Sequence, residues 1–174
     1  MRLAPLTLVS ILLAAAPGCR SELVAARALP RYTPEAALLL DDAFGSAVVD
    51  GDPVIIDDEI WAARVQSARA VVPALVATVS LDSMTGQAGQ VSITFGVLGP
   101  PLAGSLDSGT IEVEVPSGSP SYHLVRTRRN AISGRRLLLF IGWFDEGGER
   151  TPHWHAEPDE PATREAVARV LSRE

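Results

Sequence analysis

The chain has 174 residues, is 47% hydrophobic and carries a formal charge of −6, with an isoelectric point near 5.1. That length holds one domain with a core of its own, and that composition excludes an intrinsically disordered chain. The acidic balance argues against a nucleic-acid binder, which needs a basic face to displace counterions.

The chain opens "MRLAPLTLVSILLAAAPGCR". Arg2 supplies a positive start. Leu3 to Ala16 form an apolar run, short of the roughly 20 residues that a membrane span needs. Pro17 and Gly18 follow, then the sole cysteine, Cys19. In an exported chain a single cysteine is paired between chains, left free or modified, and its place after an apolar run favours modification. The stretch resembles the signal peptide of bacterial lipoproteins of high-GC Gram-negative type, whose lipobox ends in the cysteine that becomes the lipidated first residue. Gly18 fits that pattern. Ala16 stands where the pattern prefers Leu, and Pro17 departs from it. The resemblance implies palmitate on Cys19, a lipid anchor in a membrane and a place in the cell envelope. Arg20, rather than Asp, after the cysteine implies the outer membrane. Cleavage by the ordinary signal peptidase near Ala16 or Gly18, giving a periplasmic or secreted protein, and an uncleaved anchor are the alternatives. The expected organisation is a signal peptide over residues 1–19, a tether over 20–31 and a single α+β domain over 32–174.

"YTPEAALLLDDAF" signals the first helix, with Thr33 as cap, Pro34 at the first helical position and Glu35 near the positive helix end. Leu38, Leu39 and Phe44 are expected as its buried stripe. "DDEIWAARVQSA" signals the second, capped by Asp57, with Ile60, Trp61, Val65 and Ala68 at helical spacing. "AVVPALVATVSLDS" then reads as a strand, with Leu75, Ala77, Val79 and Leu81 on one side. Pro73 belongs at a start, edge or bulge of it. "MTGQAG" is a turn. "QVSITFGVLG" is the next strand, with Val91, Ile93, Phe95 and Val97 on one face. "TIEVEVPSG" alternates Ile111, Val113 and Val115 inward with Glu112 and Glu114 outward. The segment from Ser119 to Arg136 reads as a polar loop with a short strand at Tyr122 to Val125. It carries the basic cluster Arg126, Arg128, Arg129, Arg135 and Arg136, read as solvated. "LLLFIGWF" is a strand buried on both faces, "DEGG" a hairpin turn and "ERTPHWH" the returning strand. Pro161 opens a last helix, with Glu165 and Arg169 as an i,i+4 pair.

These elements give an α+β fold: a small curved sheet or barrel of about five strands, two N-terminal helices and one C-terminal helix. The run "VVPALVATVS", "VSITFGVLGPPLAG", "TIEVEVP" and "SGRRLLLFIGWF" resembles the OB-like barrel of netrin and tissue-inhibitor-of-metalloproteinase modules over Ala70 to His155. The resemblance implies an OB-like β-barrel and no particular chemistry, because such barrels serve many roles. The disulfides of the animal modules have no counterpart here, so inhibition is not carried over.

No nucleophile elbow or phosphate loop is present, and "DGD" at Asp50 to Asp52 is too short for a calcium loop. The chemistry narrows to His153 and His155. At i and i+2 on a strand they share a face, and two imidazoles so placed can converge on one zinc ion. His123, Glu157 or Asp159 would be the third ligand. A structural strand end is the plainer reading of the same two residues. The leading expectation is a non-enzymatic, lipid-anchored envelope protein that binds an envelope protein or ligand. The alternatives are a metal-binding protein using the His-x-His pair, and a ligand-binding barrel whose groove uses Trp143, Trp154 or Tyr122.

Overall fold

The computed structural model describes residues 28–51, 54, 57–81 and 91–173. The signal peptide with Cys19, residues 20–27 of the tether and the Met84–Gly89 turn lie outside the described residues. Among the described residues the fold is α+β, with five helices and one mixed, open seven-stranded sheet.

Thr33 caps α1 (Pro34–Leu39), its hydroxyl accepting the Ala36 N–H at 3.3 Å. β1 (Ala43–Phe44) and α2 (Ser46–Asp50) follow. Asp57 caps α3 (Asp58–Ser67) by accepting the N–H groups of Glu59 and Ile60. The expected stripe on α1 is corrected: Leu38 is 78% exposed, and Leu40, just past the helix, is the buried residue. Ile60 on α3 is also exposed, whereas Trp61 and Val65 are core.

The long strands are β2 (Ala70–Leu81), β3 (Val91–Val97), β5 (Thr110–Val115), β6 (Arg136–Glu146) and β7 (Glu149–Pro158), with a two-residue β4 (Ala103–Gly104) beside β2. The sheet order is β1-β7-β6-β2-β3-β5. Of the strand pairs among the described residues only β1–β7 is parallel, with an isolated parallel bridge between Arg31 and Asp145 beside them. Strand β6 is buried on both faces from Leu137 to Ile141, as its apolar run requires. In β2 the register against β3 shifts between Val76 and Thr78. The extra residue, Ala77, is a bulge that reverses which side chains face inward. Val72, Ala74 and Val76 point to the core before it, and Val79 and Leu81 after it. The expected Leu75–Ala77–Val79–Leu81 face is therefore broken at Ala77, which is exposed. Pro73 sits inside this strand rather than at its start. Its carbonyl accepts the Leu98 N–H, so its missing donor faces the end of β3 and not the β6 ladder.

Two further expectations are corrected. The sheet has seven strands rather than five, and its edges β1 and β5 are unpaired to each other, so it is open. The three expected helices become five. The segment read as a loop with a strand at Tyr122 to Val125 is the helix α4 (Tyr122–Ile132). Val125 and Ile132, on either side of a kink at Arg128, bury its inner side. The intervening arginines mask that side.

The sheet is covered on both sides. One core joins Val72, Ile93, Phe95, Val113, Leu139 and Trp154 to α2 and α4. The other joins Val71, Leu138 and Phe140 to α3 and to α5 (Pro161–Leu171). Phe95 of β3 and Trp154 of β7 are three places apart in sheet order, yet their rings meet at 5.3 Å. The sheet curls round the first core to bring them together.

Candidate functional site

The site begins at Asp41 and Asp42, which link α1 to β1. Asp42 has φ +54, the only positive φ outside glycine among the described residues. Aspartate tolerates this left-handed conformation better than most residues. The turn lays both carboxylates against β7. Asp42 N–H donates to the Trp154 carbonyl at 2.8 Å, and Asp42 Oδ1 accepts the Trp154 N–H at 3.2 Å.

His153, His155 and Glu157 alternate along β7 and share the face that carries the second core, while Trp154 points into the first. Each imidazole has its own carboxylate. His153 Nδ1 is 2.8 Å from Asp42 Oδ2, and His155 Nδ1 is 2.7 Å from Asp41 Oδ1. His155 Nε2 is 3.0 Å from Glu157 Oε1. Buried Arg64 of α3 pairs with that Glu157 oxygen at 3.6 Å and donates from Nε to the Leu39 carbonyl. A Cβ on Gly45 would lie 2.2 Å from Glu157 Oε2, so glycine there makes room for the carboxylate.

His153 differs from His155 in its second nitrogen. The ring is 6% exposed and stacks on Tyr32, with centroids 3.5 Å apart and planes within 4°. Its Nε2 is buried and forms no hydrogen bond; Glu146 Oε2 lies 3.4 Å away. Burial pushes the imidazole down, but the hydrogen bond and charge of Asp42, joined by Glu146, outweigh it and hold His153 above its ordinary 6.5. Burial also lifts the Asp42 carboxyl above its ordinary 3.8, against the pull of His153 and the Trp154 N–H. Tyr32 is raised well beyond the usual phenol range by burial and then by Asp42, Asp41 and Glu146.

His153 and Asp42 line a cleft of about 770 Å³ between β5 and the β6–β7 hairpin, where the sheet is open. Glu112 and Glu114 enter it from β5, and Glu146 and Glu149 from the hairpin. Ser80 and Ser92 lie along its wall. Among the described residues Arg150 is the one cation besides histidine on its lining, and its guanidinium lies 4.8 Å from the Trp143 ring centre.

His153, His155 and Glu157 are thus brought to one face. His123 is not: it is exposed on α4, which packs on the other side of the sheet. Asp159 is held by Arg164 of α5 at 2.5 and 2.9 Å. Among the described residues no three His, Cys, Asp or Glu side chains are gathered to hold one metal ion. Of the aromatics expected to line a groove, Trp154 is fully buried core, while Tyr122 and Trp143 are half-buried. Asp41, Asp42, Tyr32, Arg64 and Glu146 are the residues that sequence reasoning missed. His153 and Asp42 are 111 positions apart, and the only local signal was the acidic doublet after a helix. No family model, curated protein or solved structure matches the chain.

Proposed function

We propose that this chain is a lipid-anchored protein of the bacterial cell envelope whose domain is a non-enzymatic binding module. The cleft between β5 and the β6–β7 hairpin is its binding site, and that cleft is the observation that carries the reading. The five long strands follow the order β7-β6-β2-β3-β5, with α4 between the third and fourth of them in the chain. This order, the curl that joins Phe95 to Trp154 and the opening between β5 and β7 support an OB-like, partly open barrel. Such barrels take ligands across their second and third strands, beside the loop joining the fourth and fifth. Here those are β3, β5 and the β6–β7 hairpin, which bound the cleft. Five carboxylates on its lining disfavour nucleic acid as the ligand. The anchor rests on Cys19 and the apolar run before it.

Two measurements test the reading. Labelled palmitate is expected on the wild type and absent from Cys19→Ser; equal labelling defeats the anchor. A photo-cross-linker at Glu149 in the intact envelope is expected to give a discrete adduct that the same group at Glu165 on α5 does not. Indistinguishable patterns defeat the cleft as the binding site.

One contact favours a second reading, a metal-binding protein. Asp42 on Nδ1 leaves Nε2 of His153 as a ligand nitrogen, the support that metal-bound imidazoles commonly have. Zinc affinity that survives His155→Ala and vanishes in His153→Ala would carry it. A zinc titration without heat or spectral change would end it.

A further inference from the structure

We infer that the cleft takes a ligand bearing alkylammonium or guanidinium groups, bound by its carboxylates and by Nε2 of His153. The inference rests on the cleft being the binding site proposed above, and it names the ligand's chemistry.

Three observations carry it. First, among the described residues the lining is five carboxylates against one guanidinium, and the other described arginines lie elsewhere. Glu112 and Glu114 leave β5 from one face, about 6–7 Å apart. Glu146 and Glu149 stand directly opposite each other across the hairpin. Like charges directly opposite on paired strands are destabilising by themselves. A cation between them reverses that sign.

Second, His153 lines the cleft and has one buried nitrogen, Nε2, without a hydrogen-bond partner. Its side chain is 8% exposed. In the neutral ring, Nδ1–H donates to Asp42 and leaves a lone pair on Nε2, which has no hydrogen-bond partner. Glu146, whose side chain is 42% exposed, lies over this nitrogen and is the group with which a ligand would share it. With the ring neutral, Nε2 and the carboxylates all accept, and the complementary ligand is rich in donors. An ammonium offers three N–H donors and a guanidinium five.

Third, the volume of about 770 Å³ far exceeds one ion. It falls within the range of pockets that hold small organic ligands or short chain segments. The spread of carboxylates from β5 to the hairpin suits a chain with more than one cationic group. Free polyamines and the Lys or Arg side chains of a peptide share that chemistry.

Calorimetry on the full chain in detergent, at low ionic strength, separates them. The probes are spermidine, a short Lys/Arg peptide, the same peptide with its lysines acetylated and its arginines replaced by citrulline, and zinc chloride. Saturable binding of a cationic probe is expected, with affinity falling at least about 10-fold in Glu112→Gln/Glu146→Gln/Glu149→Gln. All three of those side chains are exposed, so the variant is expected to fold, with circular dichroism as the check. His153→Phe keeps a ring against Tyr32, removes Nε2 and is expected to weaken the same binding. Arg129→Gln/Arg136→Gln is expected to leave it unchanged. Spermidine alone binding assigns a free polyamine, and the peptide binding assigns Lys or Arg side chains. No saturable binding by the folded chain, equal affinity in the triple variant, or zinc binding with neither amine bound overturns the inference. A cleft-specific cross-link with no cation bound would spare the binding module and remove only this ligand class.

Discussion

At the scale of single residues the Asp42–His153 contact governs a proton. Both groups titrate above their ordinary values in the fold, His153 above 6.5 and Asp42 above 3.8. The folded chain therefore holds protons more tightly than the unfolded one. The stability His153 contributes is complete below 6.5 and is lost as pH rises through its folded value. The contribution of Asp42 has the same sign, complete below 3.8 and lost as pH rises through its own folded value. The melting-temperature advantage of wild type over Asp42→Asn/His153→Gln is thus expected to shrink as pH rises above 6.5 in chelator-treated protein. A constant difference across that range would remove the pair from the account. The second contact, Arg64 with Glu157, makes a separate prediction. Arg64→Met takes the guanidinium from a buried carboxylate and leaves it His155 as partner, at a cost of about 3 kcal/mol. Adding Glu157→Leu is expected to recover at least about 1 kcal/mol of that in denaturant melts, the signature of a coupled pair. Strictly additive losses would show that the two side chains act independently. The face shared by His153 and His155 was legible, because the two-residue strand period sets it. Their carboxylate partners were not, since nothing local marks Asp41 and Asp42 as neighbours of residues more than 110 positions away.

At the scale of elements, legibility followed how much of a pattern lies within one segment. The alternation of β5 and the apolar run of β6 were clear because each strand's burial repeats every residue or two. The caps Thr33 and Asp57 were clear because a cap bonds only two or three residues onward. The helix α4 was hidden because its two buried residues stand seven apart among arginines. The bulge in β2 was hidden because Ala77 looks like any other strand residue. Its role is set by β3, which offers no partner for it. Deleting Ala77 is expected to give a regular ladder that keeps Val79 and Leu81 inward, because every other paired residue keeps its partner. The thermal transition should stay cooperative; its loss would mean that the bulge does more than set the register. The last helix shows the same limit in its charges. Arg169 reaches Asp58 of α3 at 3.6 Å rather than pairing with Glu165, because tertiary packing supplies a carboxylate that helical spacing does not reveal.

At the scale of the whole molecule, the curl of the sheet makes the cleft. It brings β5 within reach of the β6–β7 hairpin while leaving the two edges unpaired. Trp154 is a principal tie across that curl, with Phe44 at 5.0 Å and Phe95 at 5.3 Å. Trp154→Ala is expected to cost about 3–5 kcal/mol in denaturant melts. Trp154→Phe should cost much less, because the indole N–H is buried without a hydrogen-bond partner and its loss strands nothing. Equal costs would mean that the ring's packing across the curl is not what matters. The charge is also divided at this scale. Carboxylates line the cleft, whereas Arg126 and Arg129 are exposed on α4, which packs against the core inside the curl.

The sequence by itself determined the α+β class, the strand faces of β3 and β5, the buried β6, the helix starts and the placing of His153 beside His155 on one face. All of these follow from covalent spacing, side-chain period and caps that act over a few residues. Only the tertiary structure decided the strand order, the bulge, the helix α4 and the carboxylate given to each histidine. Those depend on which distant segments the sheet's curl brings together. Curl and pairing are properties of the packed core, which no single stretch of chain encodes.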